Sequence, residues 1–192
     1  MSEREGGKLK MTGEIYEVRR KTKSQIRQYA RYVRRQFNAQ GPYIDIVKIV
    51  EELFPKFIRG YNFRIVNDDD EDVDMKGILA YTESKNGEIT MYVQEKIYDE
   101  ALMDKGPARF TLAHEGGHVL MHCDENVILR RVESFGELHT PIENEKNPEW
   151  QADQFAAELL APLALTKGLP VYEIMDKFKV SYMCASNRKG TK

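Results

Sequence analysis

Residues four apart on an α-helix lie one turn above each other, so His114 and His118 can aim two imidazoles at one metal ion with Glu115 beside them. The segment Arg109-Phe110-Thr111-Leu112-Ala113-His114-Glu115-Gly116-Gly117-His118 therefore carries HExxH, the outline of a zinc hydrolase site. In a chain with 4 histidines, a chance occurrence has a probability on the order of one in a hundred, so the neighbouring sequence must add support. It does so: Pro107 suits a first helical turn, and only the Gly116-Gly117 pair interrupts helical spacing from Ala108 to His122. Leu112, Val119 and Cys123 form an apolar stripe that can face a core and leave the motif's polar residues on another face. The competing reading is a pair of histidines satisfied by hydrogen bonds alone.

Two imidazoles do not complete a catalytic zinc site, which takes three protein ligands and keeps a fourth position open. Residues 147–162 predict a second helix, with Asn147 as N-cap, Pro148 at the first helical position and Pro162 as a stop. Glu149 and Asp153 share one face of it. Ala152, Ala156 and Ala157 keep it thin enough for close approach, and Phe155, Leu159 and Leu160 supply burial. Glu149 can then complete a His, His, Glu set, and Asp153 can accept the second N–H of a ligand histidine. That donor set favours zinc over other divalent metals.

HExxH followed by ExxxD on a second helix is the gluzincin arrangement. The run from Arg109 to His118, together with Phe155-Ala156-Ala157-Glu158-Leu159-Leu160-Ala161-Pro162, resembles the ImmA/IrrE family of metallopeptidases. The resemblance spans roughly residues 40–185 and is specific in the two helices. It implies zinc ligands His114, His118 and Glu149, with Glu115 as the catalytic carboxylate. It also implies a protein substrate, a helix-turn-helix repressor such as those of mobile elements or stress regulons. The family often has a larger apolar residue where Gly116 stands, and two adjacent glycines weaken a helix by roughly 1 kcal/mol each.

In such a site Glu115 takes a proton from water acidified by the metal and passes it to the departing amine. The candidates for a further donor to the oxyanion are His122, His139 and Tyr98. Each also has a plainer reading as a surface or capping residue. An extended substrate would pair with a sheet edge, for which the expected strand is Ile89, Thr90, Met91, Tyr92 and Val93.

The elements that must position these residues follow from patterning. Ile26, Tyr29, Ala30, Val33 and Phe37 recur at helical spacing, with Arg27, Arg31, Arg34 and Arg35 on the other sides. Ile44, Ile46, Val47, Ile49, Val50 and Leu53 fit a second helix ended by Pro55. Strand-like runs follow at residues 61–66, 77–81 and 88–93, with Asn86-Gly87 as a hairpin turn. The acidic run Asp68-Asp69-Asp70-Glu71-Asp72 lacks the glycine of a calcium loop and reads as a solvated turn. After Pro170, Val171, Ile174, Met175 and Phe178 form a short amphipathic helix, and Ser181 caps another, a packing extension rather than a DNA-binding pair.

The expected fold is α+β: a mostly helical metallopeptidase domain with a small antiparallel sheet packed on the HExxH helix and a second ligand-bearing helix. Residues 1–40 form a basic N-terminal arm with an amphipathic helix, 41–165 the metallopeptidase domain and 166–192 a short C-terminal helical extension. At 192 residues and 41% hydrophobic content the chain can build a real core. Its net charge of −2 hides eleven Lys or Arg against four Glu in residues 1–40. That excess could contact nucleic acid, although solvated arginines on a docked helix are the commoner arrangement. Gly6-Gly7 and the polar residues before Ile15 suggest a flexible leader. No apolar run spans a membrane and no secretory signal is present, while Cys123 and Cys184 are too few for a disulfide framework, so a cytoplasmic protein is expected. Three functions compete: a zinc endopeptidase acting on a protein partner, a partner-dependent regulator that keeps the fold, and a DNA-contacting regulator using the basic arm.

Overall fold

In the computed structural model, which describes residues 18–67, 69–70, 73, 75–123, 127–132 and 143–190, the amphipathic stripe of the basic segment becomes helix α1, Lys23–Gln36. Thr22 caps it, with Gln25 reaching back to the cap N–H in a reciprocal box. Ile26, Ala30 and Val33 are buried as their spacing requires. Arg34 departs from its expected solvent face: it is buried and donates to the Leu159 carbonyl at 2.8 Å and to that of Gly41. A long side chain beside a neighbouring helix end reaches main-chain acceptors there, a contact that helical spacing does not encode.

The second helix runs past Pro55. It consists of α2 (Ile46–Lys48), a π-helical turn (Ile49–Leu53) and α3 (Phe54–Phe57). The Phe54 N–H bonds to the Ile49 carbonyl five residues back, and this wider turn makes room for the Pro55 ring, which has no N–H to give.

The sheet contains β1 (Tyr61–Val66), β2 (Ile78–Lys85), β3 (Glu88–Gln94) and β4 (Val127–Val132) in the order β1-β3-β2-β4. Asn86 and Gly87 both have positive φ and close the β2–β3 hairpin, as an Asn-Gly pair favours. β2 pairs antiparallel with β3 and β4, but β1 runs parallel to β3, so the sheet is mixed. The expected substrate edge is thereby corrected. Ile89, Thr90, Met91, Tyr92 and Val93 lie on an inner strand, with β1 on one side and β2 on the other, and their backbone has no open side. In the acidic run, Asp70 accepts from Arg64 at 2.8 and 3.0 Å and from the Val73 N–H. Asp68, Glu71 and Asp72 lie outside the described residues, as does the leader before residue 18.

Helix α4 (Glu95–Leu102) leads to the motif helix α5 (Gly106–Met121), which lies between the sheet and α6 (Pro148–Leu160). α1 packs on the far side of α6. The tail forms α7 (Leu163–Thr166), α8 (Val171–Phe178) and α9 (Tyr182–Gly190). Ser181 accepts from the Cys184 N–H at 3.3 Å, and Ile174, Phe178, Val180 and Ala185 join the same core as Ile26, Leu112 and Phe155. The basic helix and the tail are thus packed into the body that holds the motif. No helix of the described residues is long and apolar enough to cross a membrane.

The glycine pair in α5 sets how closely these layers meet. A Cβ on Gly117 would stand 3.1 Å from the Ala152 Cα and from the Phe155 ring on α6, and one on Gly116 would stand 3.3 Å from the Phe54 ring. Phe54 occupies the volume that a larger residue at 116 would claim.

Candidate metal centre

α6 begins where Asn147 accepts from the Glu149 and Trp150 N–H groups at 2.9 and 3.2 Å, with Pro148 in the first turn. This cap puts Glu149 at the start of the helix, facing α5. Because Gly117 lets the two helices close, the Nε2 atoms of His114 and His118 stand 3.0 Å apart, with Glu149 Oε2 at 3.1 Å from the first and Oε1 at 3.3 Å from the second. His114, Glu115 and His118 offer ligand atoms all within 4.8 Å of one another, and the shorter distances make Glu149 rather than Glu115 the third corner. Both imidazoles and Glu115 are fully buried.

The outer nitrogens are occupied. His114 Nδ1 lies 2.9 Å from Asp153 Oδ1, which can only accept, so Nδ1 carries a proton, and the neutral ring that a metal requires presents its lone pair at Nε2. His118 Nδ1 lies 2.9 Å from His122 Nδ1, and His122 Nε2 lies 3.0 Å from Gln151 Oε1. The seam thus gathers two imidazole nitrogens and a carboxylate within reach of one another. Tetrahedral zinc with bonds of about 2.0–2.1 Å separates its donors by about 3.3 Å, close to the triangle present here, so the residues fit that ion.

Glu115 accepts from the Thr82 hydroxyl of β2 at 2.8 Å through Oε2, while its buried Oε1 has no hydrogen-bond partner among the described residues. Burial pushes its carboxyl up from the ordinary value, against the pull of His118, His114 and the Thr82 hydroxyl. Burial acts the same way on Glu149, but the two imidazoles outweigh it and hold that carboxyl well below the usual range. The two carboxyls of the seam are thus pushed in opposite directions.

Two of the expected oxyanion donors have their polar atoms engaged elsewhere. His122 stands behind His118 with both ring nitrogens engaged, and burial with His118 at its side lowers its pKa to about 3. Tyr98 donates to Glu51 at 2.8 Å, an acceptor that with burial raises the phenol to about 12. His139 lies outside the described residues. Two residues that composition did not flag take part instead. Thr82 shares strand parity with Ile78 and Ala80, so a hydroxyl on the buried side of β2 was a usable signal. Gln151 is fully buried on α6, between Glu149 and Asp153 in sequence.

A comparison with family models matches residues 91–188 to the IrrE N-terminal-like domain of peptidase family M78. No curated protein matches the chain. The match runs from β3 through α9 and includes both helices of the seam. With over half the chain covered and the HExxH cluster assembled inside the match, the chain belongs to the IrrE N-terminal-like family of metallopeptidases.

Proposed function

We propose that this metallopeptidase is a zinc endopeptidase that cuts a protein partner, with His114, His118 and Glu149 as metal ligands and Glu115 as general base. The observation that carries the reading is the triangle of two imidazole Nε2 atoms and one carboxylate, 3.0–3.3 Å on a side. Zinc in such a site supplies a Lewis acid for the scissile carbonyl and acidifies water toward neutral pH. Glu115 Oε1, buried and unpaired, is the atom that takes a proton and returns it to the leaving amine. Thr82 fixes the other oxygen and so aims the free one. Asp153 keeps the His114 proton on Nδ1.

The partner chain enters extended. With β3 internal, the edge beside β2 is β4, and β2 is the strand that carries Thr82 to Glu115. Addition along β4 brings a substrate backbone toward the seam. We take the substrate to be a helix-turn-helix repressor, the class that the family resemblance implies, and the enzyme to act in the cytoplasm. The DNA-contacting alternative loses support because Arg34 of the basic helix is buried and Ile174, Phe178 and Ala185 of the tail helices are committed to the core.

The test incubates the purified protein and Zn2+ with helix-turn-helix repressors from the same genome and reads cuts by mass spectrometry. One discrete zinc-dependent cut is expected, reduced on the order of 10²–10⁴-fold in Glu115→Gln while zinc stays bound. Equal cutting by that variant removes the base. Repressor binding without any cut assigns the chain to regulation instead.

A further inference from the structure

The geometry points to His122 and Gln151 as positioning residues that fix the proton of His118 on Nδ1 and so hold its Nε2 lone pair ready for the metal. This rests on the ligand assignment proposed above and extends it beyond the HExxH and ExxxD residues.

The amide orientation of Gln151 is decided by its surroundings. Its Nε2 lies 3.0 Å from the Arg19 carbonyl and 2.8 Å from the Glu145 carbonyl. Carbonyl oxygens only accept, so the amide NH2 must face them and Oε1 must face the other way. On that side lies His122 Nε2 at 3.0 Å, which must then be the protonated nitrogen. A neutral imidazole carries one proton, so His122 Nδ1 is an acceptor. Its neighbour at 2.9 Å is His118 Nδ1, which must donate. Every proton in the chain is assigned by the link before it, and in the neutral ring that a metal requires the last link leaves His118 Nε2 bare.

The anchor is main chain rather than side chain. Residues 18–21 lie along the approach to α6, where the Val18 and Lys21 N–H groups bond to the Lys146 and Glu145 carbonyls at 2.9 and 2.8 Å. Lys21 also donates to the Met121 carbonyl at the end of the motif helix at 3.0 Å. Both carbonyls that orient Gln151 are therefore held in place, and the relay is buried along its whole length: Gln151 is 0% exposed, His118 0% and His122 6%. A tautomer switch at His118 would set two N–H groups or two lone pairs against each other in a buried place, where an unmet polar group is costly.

The two ligand histidines are thus held by different means. His114 is set by a carboxylate, Asp153, whose side chain is 49% exposed. His118 is set by a neutral relay that adds no charge to the site. Outer partners of this kind typically contribute on the order of 10–100-fold in metal affinity.

The test measures Zn2+ affinity by chelator competition in the full chain, with histidine tautomers read by ¹⁵N NMR of the zinc-loaded protein. In the wild type, His122 is expected to carry its proton on Nε2. A proton on His122 Nδ1, or on both nitrogens, overturns the relay without any substitution. His122→Leu and Gln151→Met should each lower Zn2+ affinity on the order of 10–100-fold. His122→Asn, whose amide oxygen falls where Nδ1 stands, should restore it to within a few-fold of wild type. Unchanged affinity in both disruptive variants, or no rescue by asparagine, likewise removes the relay. Failure of the ligand assignment has a separate signature: His118→Ala would then bind Zn2+ as the wild type does, whatever the tautomers show.

Discussion

Helix α6 carries one buried and one half-buried glutamate, and their charges are met in different ways. Glu158, 2% exposed, meets the Arg188 guanidinium at 3.1 Å, with Arg27 further off at 3.8 Å. Arg188 also donates to the Ala157 carbonyl at 3.2 Å, which locks the pair to the helix it serves. Glu149 meets two imidazole nitrogens, and one of those rings is tied on its other side to the Asp153 carboxylate. The chain supplies Glu158 with a guanidinium from α9 and Glu149 with imidazoles. The difference separates a structural ion pair from a ligand set. A buried carboxylate facing arginine has its charge balanced on folding, whereas one facing two imidazoles that can turn neutral is free to balance an added cation.

The largest effect expected from this contrast is in metal dependence. At a free Zn2+ concentration 1,000 times its Kd, binding should stabilise the fold by about 4 kcal/mol. For a domain of this size that is a rise in Tm of about 8–16 °C over the chelated protein, read by calorimetry. Glu149→Ala should abolish the zinc-induced rise, and Glu158→Gln should leave it intact. Identical melting of the zinc and chelated forms would erase the distinction between the two glutamates.

Arg188→Met probes the other side. Removing one partner of a buried pair leaves an uncompensated charge, and a loss of about 3–5 kcal/mol is expected in urea unfolding of the zinc-loaded protein. Adding Glu158→Met should recover most of it, because two apolar side chains need no partner. The zinc-induced rise in Tm should be the same in both variants. A change in zinc affinity would show that the two ends of α6 are coupled.

Much of this contrast was legible before any coordinates. His114, His118 and Glu149 sit on helices whose caps and spacing are local: Pro107 and Pro148 open them and Asn147 caps the second. What local pattern cannot give is the identity of distant partners. Gln151 takes its meaning from the carbonyls of Arg19 and Glu145, and Arg34 from that of Leu159. The parallel placement of β1 beside β3 was equally hidden, because alternation fixes which face of a strand is buried and says nothing of which strand lies next to it. That omission made β3 look like an edge. Pro55 misled for a related reason, since its usual role as a helix stop is overridden by the π turn ahead of it.

The glycine pair gives the smallest and sharpest test, because two adjacent residues should respond differently to the same methyl group. On intrinsic helix propensity alone, each Gly→Ala change would stabilise by roughly 1 kcal/mol. At Gly117 the new Cβ meets backbone, the Ala152 Cα at 3.1 Å, and can be accommodated only by moving α6 away from α5. Overpacking of that kind costs about 1–3 kcal/mol, so Gly117→Ala should be net destabilising by about 1 kcal/mol. It should also widen the donor triangle and weaken Zn2+ binding. At Gly116 the Cβ meets only the Phe54 ring at 3.3 Å, a side chain that can shift by a few tenths of an ångström. Gly116→Ala should therefore be near neutral in urea unfolding and leave Zn2+ affinity alone. Equal effects at the two positions would mean that the closeness of α5 to α6 is not what holds the ligands together.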